Sequence, residues 1–406
     1  MFTSLLSSLT TLRDFFSRSF FIGAFLPTLM FFFINGLILF VWNWPVHDWV
    51  RRELFDASNL DKTYTFAILF FFLWVESYLV SALTPLWTRT LEGKNWWGLL
   101  RSTGIKKHLE RYNQIEKEIE EAVRVYVEIQ RNRPRWDDEI VQARQDSATK
   151  ATEMPSVSTE ESIKKLTDIP ANSTRLVKYE DIDDLINTYC SEIRATKNRQ
   201  DLEHYSNDIT LLIEDTYRRA LQEHSRLVTD RNLEFGNRED VLPTRFGNVG
   251  MSAQAFAMRA YQCNLGLIWS SLRRAIAKEQ ETATSLENCK SQLDFFVACY
   301  WLSLFQAVGW AVAFAVCGEP VGAISSAIAG PAICWMLWYG AAVEQYRVLQ
   351  SLLISCLNSP LRHQVLNELR IALPADIAEE RELWQSINMA IGFGDPRPLR
   401  YQYPKT

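Results

Sequence analysis

Residues 20–42 read FFIGAFLPTLMFFFINGLILFVW, a run without a single charge. An α-helix rises about 1.5 Å per residue, so such a run spans a hydrocarbon core of about 30 Å. Three further runs share this character: 64–87, which contains Glu76, then 295–317 and 321–343. Only Gly318, Glu319 and Pro320 separate the last two, so a tight antiparallel hairpin is expected there. Helices suit this solvent because they satisfy their own backbone groups. The expected fold is an all-α integral membrane protein. Four transmembrane helices form two hairpins, with a large helical cytoplasmic domain inserted between them.

The averages alone hide this. Across 406 residues, 48% are hydrophobic and 22% charged, as in a globular chain, though 23 Phe is a high count. A net charge of −5 gives no basic character to attract nucleic acid, and none is expected as a partner. The 7 Cys are odd in number and lack CxxC spacing, which argues against a disulfide framework or a zinc ribbon. The N-terminus lacks a basic cluster and a cleavage site, so no cleavable signal is expected. Leu5, Leu9, Leu12 and Phe16 recur at helical spacing. They read either as an interfacial helix or as a frayed extension of the first span.

Lys and Arg near the span ends set orientation. Arg89, Lys94, Arg101, Lys106 and Lys107 follow the second run, whereas Arg51, Arg52 and Lys62 between the first two are diluted by acids. Both termini and the central region are therefore expected in the cytoplasm, in a bacterial inner membrane. Trp42, Trp44 and Trp49 would belt the outer interface; Trp87, Trp96 and Trp97 would belt the inner one.

The expected organisation is a first hairpin over 1–87, a cytoplasmic helical domain over 88–294, a second hairpin over 295–343 and a helical C-terminal region over 344–406. Ile105, Leu109, Tyr112, Ile115, Ile119, Ala122, Tyr126 and Ile129 mark an amphipathic helix, predicted to end at Pro134. It suits intramolecular packing or a coiled coil between subunits. Residues 145–174 are rich in Ser, Thr and charge and read as a mobile surface loop. Helical spacing resumes at 182–193 and 205–221. His224 continues the stripe as an ordinary core histidine.

One segment is motif-like: Leu242, Pro243, Thr244, Arg245, Phe246, Gly247, Asn248. Pro243 disfavours helix before it, and Gly247 and Asn248 tolerate unusual backbone angles. Arg245 presents a fork suited to a carboxylate, a carbonyl array or a lipid phosphate. A rigid turn locking the cytoplasmic domain to the membrane hairpin is one reading; a ligand or headgroup site is the other. Ser252 is expected to cap one helix reaching Lys278. The segment resembles a group of bacterial multi-span membrane proteins with an LPTR-x-GN element. There a helix with Tyr-Gly and then Trp-Pro-Arg-Leu follows, and then a span. Here Tyr261 precedes Gln262, and Trp269 precedes Ser270 with Leu272 nearby. The resemblance covers about 240–310 and implies membership without a mechanism.

Polar groups inside the runs carry the functional reading. Glu76 and Gln306 lie near the middle of their runs and are expected at matching depth; Asn35, Ser325 and Ser326 form a second layer. A lone carboxylate is costly there, so it should face protein or water. The groups suit either a polar track or bonds that hold a bundle. Gly322, Ser326 and Gly330 recur at four-residue intervals, a small-residue face for close helix contact within the hairpin or between subunits. Helix beyond 343 should continue to Pro360, followed by a short helix around Val365 and Leu369. Residues 392–396 read as a turn and the tail as irregular. No Walker loop, G-x-S-x-G, H-E-x-x-H or G-x-G-x-x-G occurs. No catalytic residue, metal or cofactor is therefore assigned. The expected function is an oligomeric inner-membrane channel or membrane-permeabilising effector gated by its cytoplasmic helices. The alternative is a membrane-anchored scaffold or sensor binding a cytoplasmic protein. The lipid bilayer and further copies of the chain are the expected partners.

Overall fold

A computed structural model of the chain describes residues 17–41, 59–150, 179–195 and 199–393. Among them, every element longer than a single residue is helical. Helix α1 starts at Arg18–Phe20, passes a π turn at Phe21–Phe25 and continues as Leu26–Val41. The wide turn lies just ahead of Pro27, where a proline ring would otherwise press on the carbonyl four residues back. Helix α2 is Asn59–Leu91, α3 Gly98–Lys150, α4 Tyr179–Ala195 and α5 Arg199–Glu234. Three short helices follow: α6 (Arg245–Gly250), α7 (Ser252–Tyr261) and α8 (Leu265–Lys278). Helix α9 is Gln280–Val316, α10 Pro320–Ile333 and α11 Gly340–Asn358, the last two joined by a π turn at Cys334–Tyr339. Helices α12 (Leu361–Glu368) and α13 (Ile377–Phe393) end the described chain.

Four of these helices are long and apolar enough to cross a membrane: Arg18–Leu39, Ala67–Leu91, Gln280–Val316 and Pro320–Asn358. They bear many exposed apolar side chains, including Phe33, Phe72, Val312, Val321, Ile328 and Met336. Water would penalise that surface, and hydrocarbon does not. The chain is an all-α, multi-span membrane protein.

By packing, the chain divides into two compact units, 1–109 with 232–406, and 110–231. In the first unit, one core joins the membrane helices to the motif. Ala24, Val80, Trp87, Phe246, Val297 and Val343 belong to it. A second core joins α7 and α8 to the C-terminal helices through Leu272, Leu357, Val365 and Trp384. Arg362 ties this core together. It meets both oxygens of the buried Glu380, at 2.6 and 3.2 Å, and lies 4.4 Å over the Tyr261 ring. The other unit is built on Ile129, Trp136, Ile140, Ile186 and Ile193. There Arg135 and Trp136 both donate to Asp183, at 2.5 and 2.9 Å.

Several expectations change. Pro134 does not end its helix, because α3 runs through it to Lys150. The apolar stripe resumes at once with Trp136, Ile140 and Ala143, all buried. Their burial outweighs one missing hydrogen bond. Residues 145–150, expected in the loop, complete α3; the rest of that loop lies outside the described residues, as do the interfacial N-terminal helix, the outer Trp belt and the tail. The helix expected from Ser252 to Lys278 is two helices. Gln262 adopts a left-handed conformation (φ 59°) and Asn264 caps α8 by accepting from the Gly266 amide. Ser252 caps no helix, and among the described residues its buried hydroxyl has no hydrogen-bond partner. Gly392 and Phe393, read as part of a turn, finish α13. Trp87 does not belt an interface; it is buried and stacks on Trp301 with centroids 6.1 Å apart.

Candidate functional site

The motif segment forms a knot of hydrogen bonds at the end of α2. Thr244 caps α6 by accepting from the Gly247 amide at 3.0 Å, and its hydroxyl donates to the Leu91 carbonyl at 2.7 Å. Asn248 grips the backbone of Leu242 twice, accepting from its amide at 2.6 Å and donating to its carbonyl at 2.9 Å. Gly247 is needed for close approach, since a Cβ there would lie 2.2 Å from the Glu92 carbonyl oxygen. Pro243 packs on the turn after α2, where Gly93 has φ +76°. Phe246 is fully buried with its ring 4.7 Å from that of Tyr346.

Arg245 faces protein carboxylates. It lies 3.3 Å from Glu234 at the end of α5 and 3.4 Å from Glu344 at the start of α11. Arg347 pairs with the same two residues, at 3.8 and 3.3 Å. Beside this group, Tyr346 donates to Glu92 at 3.0 Å, and Lys94 pairs with Glu92 at 2.7 Å. The motif thus ties the end of α2, Glu234 and α11 together. Sequence reasoning named Pro243, Thr244, Arg245, Gly247 and Asn248 but missed Glu92, Glu234, Glu344, Tyr346 and Arg347. Glu92 and Glu234 lie at helix ends, a signal that many other charges share.

The intramembrane polar groups part company. Asn35 accepts from the Trp310 indole at 2.8 Å, which binds α1 to α9. Gly330 and Gly322 face α9: a Cβ on them would lie 2.3 Å from that of Ala307 and 2.9 Å from the Phe314 ring. Ser326 lies half-buried on that face, while Ser325 is exposed. Glu76 and Gln306 are half-buried, and among the described residues neither has a hydrogen-bond or ion-pair partner. Among the described residues, no cluster of His, Cys, Asp or Glu could hold a metal.

Comparison with protein-family models, with curated proteins and with solved structures finds no match to this chain.

Proposed function

We propose that the chain assembles into a homo-oligomeric channel or membrane-permeabilising effector in a bacterial inner membrane. In this reading the spans form two hairpins with both termini cytoplasmic. The carrying observation is that Glu76 and Gln306 sit within apolar helices and have no hydrogen-bond or ion-pair partner among the described residues. A carboxylate in hydrocarbon without a partner is costly. A neighbouring copy or a water-filled path removes that cost. The small-residue face is no rival for this role, since Gly322 and Gly330 pack against Phe314 and Ala307 of the same chain.

The motif supplies the coupling. Helix α5 ends on Glu234, and Arg245 and Arg347 hold that carboxylate beside the extension of the fourth span. A shift of the last turn of α5 would pull on α11 through these charges. The scaffold reading leaves Glu76 without a purpose. Native mass of the full chain in detergent tests the proposal. A closed oligomer is expected; a monomer at every concentration contradicts it and favours the scaffold.

A further inference from the structure

Past the end of α2, a stretch of chain is exposed on every side. Residues Trp97 to Thr103 are all exposed, although three of them are large and apolar. Trp97 is 87% exposed, Leu99 85% and Leu100 69%. A helix start normally turns such residues inward. Among the described residues, nothing covers them.

Their position is set by the turn before them. Gly93 takes φ +76° and Trp96 donates its indole N–H back to the Thr90 carbonyl at 2.9 Å. This bond holds Trp96 against the last turn of a helix whose flank exposes Leu79 and Leu86. Trp97 is therefore kept at the level where the span ends. The surroundings are basic. Arg89, Lys94, Arg101, Lys106 and Lys107 lie within 88–109, and Glu92, the one acid there, is paired with Lys94. Trp suits the boundary between water and hydrocarbon, and nearby cations suit anionic headgroups.

We infer that Trp97, Leu99 and Leu100 form an interfacial anchor that inserts into the headgroup layer of anionic phospholipid where α2 leaves the bilayer. The occupant is lipid because the patch continues the exposed apolar surface of the span, which also exposes Leu86, and because its charged neighbours are cations. The anchor fixes the start of α3 at the membrane plane. It rests on the chain spanning a membrane and not on channel activity.

The test places a spin label at Trp97→Cys or Leu100→Cys in the full chain carrying Cys317→Ser, with a label at the exposed Lys117 as the water reference. Signal from the unmutated positions is subtracted using the Cys317→Ser parent. The protein is placed in bilayers of phosphatidylcholine, alone or with about one-third phosphatidylglycerol. The expected result is an inverted collision ratio relative to Lys117: oxygen exceeds a water-soluble nickel chelate at both sites, more so with anionic lipid. Replacing Arg101, Lys106 and Lys107 by Gln should remove the difference between the two bilayers while circular dichroism stays unchanged. A water-like ratio in both bilayers overturns the inference. So does shielding from both reagents, which would mean that protein covers the patch.

Discussion

Gly247→Ala tests the motif more sharply than any charge substitution. The added methyl would meet the Glu92 carbonyl oxygen at 2.2 Å, its carbon at 2.9 Å and a Leu242 methyl at 2.9 Å. The Leu side chain can yield, but the Glu92 carbonyl cannot move freely. Its peptide lies in the turn just past α2, where the Gly93 amide of the same peptide donates to the Thr90 carbonyl at 3.0 Å. Relief therefore means moving α6 away from α2. That loosens the Thr244 cap, worth about 1 kcal/mol. It also breaks the bond from Thr244 to the Leu91 carbonyl, worth about 1 kcal/mol. Residual overpacking costs about 1 to 3 kcal/mol. The total is about 3 to 5 kcal/mol, which lowers the apparent Tm in detergent by roughly 10 °C at a fixed scan rate. Gly309→Ala is the control. It lies in α9 with nothing within 4 Å of its Cβ, so its Tm should stay within a few degrees of the parent. An unchanged Tm for Gly247→Ala would refute the close-approach argument. An equal loss in Gly309→Ala would show a general sensitivity to added methyls instead.

Three further outcomes follow from the packing. Arg362→Ala takes the guanidinium from Glu380, which is only 3% exposed and keeps the Trp384 indole at 3.2 Å and His363 at 3.9 Å, and should cost about 3 to 5 kcal/mol in thermal unfolding. The double variant Arg362→Met with Glu380→Leu should recover most of that loss, because no buried charge is left unpaired. Gly330→Leu should separate α10 from α9, since even a methyl there would lie 2.3 Å from the Ala307 Cβ; loss of a disulfide engineered across the two helices reads this out. Burial pushes the Cys263 thiol up to about 12, with Glu380 adding to the effect. It therefore stays protonated at pH 8, and mass spectrometry should find it unalkylated under conditions that modify the exposed Cys317.

Much of this was legible in the residues. Runs of apolar residues as long as 20–42 have few outcomes other than a membrane helix, because their length and their lack of charge point the same way. The continuation of helix to Asn358, up to the expected stop at Pro360, followed from Leu349, Leu352, Leu353 and Leu357. The misreadings share one cause: tertiary packing overrode a local signal. Pro134 is a helix breaker by itself, yet the buried Trp136 and Ile140 carry α3 past it. Gln262 carries no signature of a left-handed break; Asn264, as a cap, was the available clue. Trp87 has the composition of an interface residue, and only the stack on Trp301 shows that it faces inward. Helix α13 escaped notice, although Trp384 and Ile387 are its buried face. The site was half legible. Thr244, Gly247 and Asn248 announced a special backbone. The acids that Arg245 meets are about ten residues before it and about a hundred after it, which no local pattern can reveal.

The central claim is that Glu76 belongs to a conducting path assembled from several copies. Ion flux across liposomes holding the purified full chain addresses it directly, measured against pH for the parent and for Glu76→Gln. Flux is expected in the parent, and a changed flux or pH profile in the variant with its native mass unaltered. No flux in the parent at any pH, or an identical profile in the variant, would contradict it.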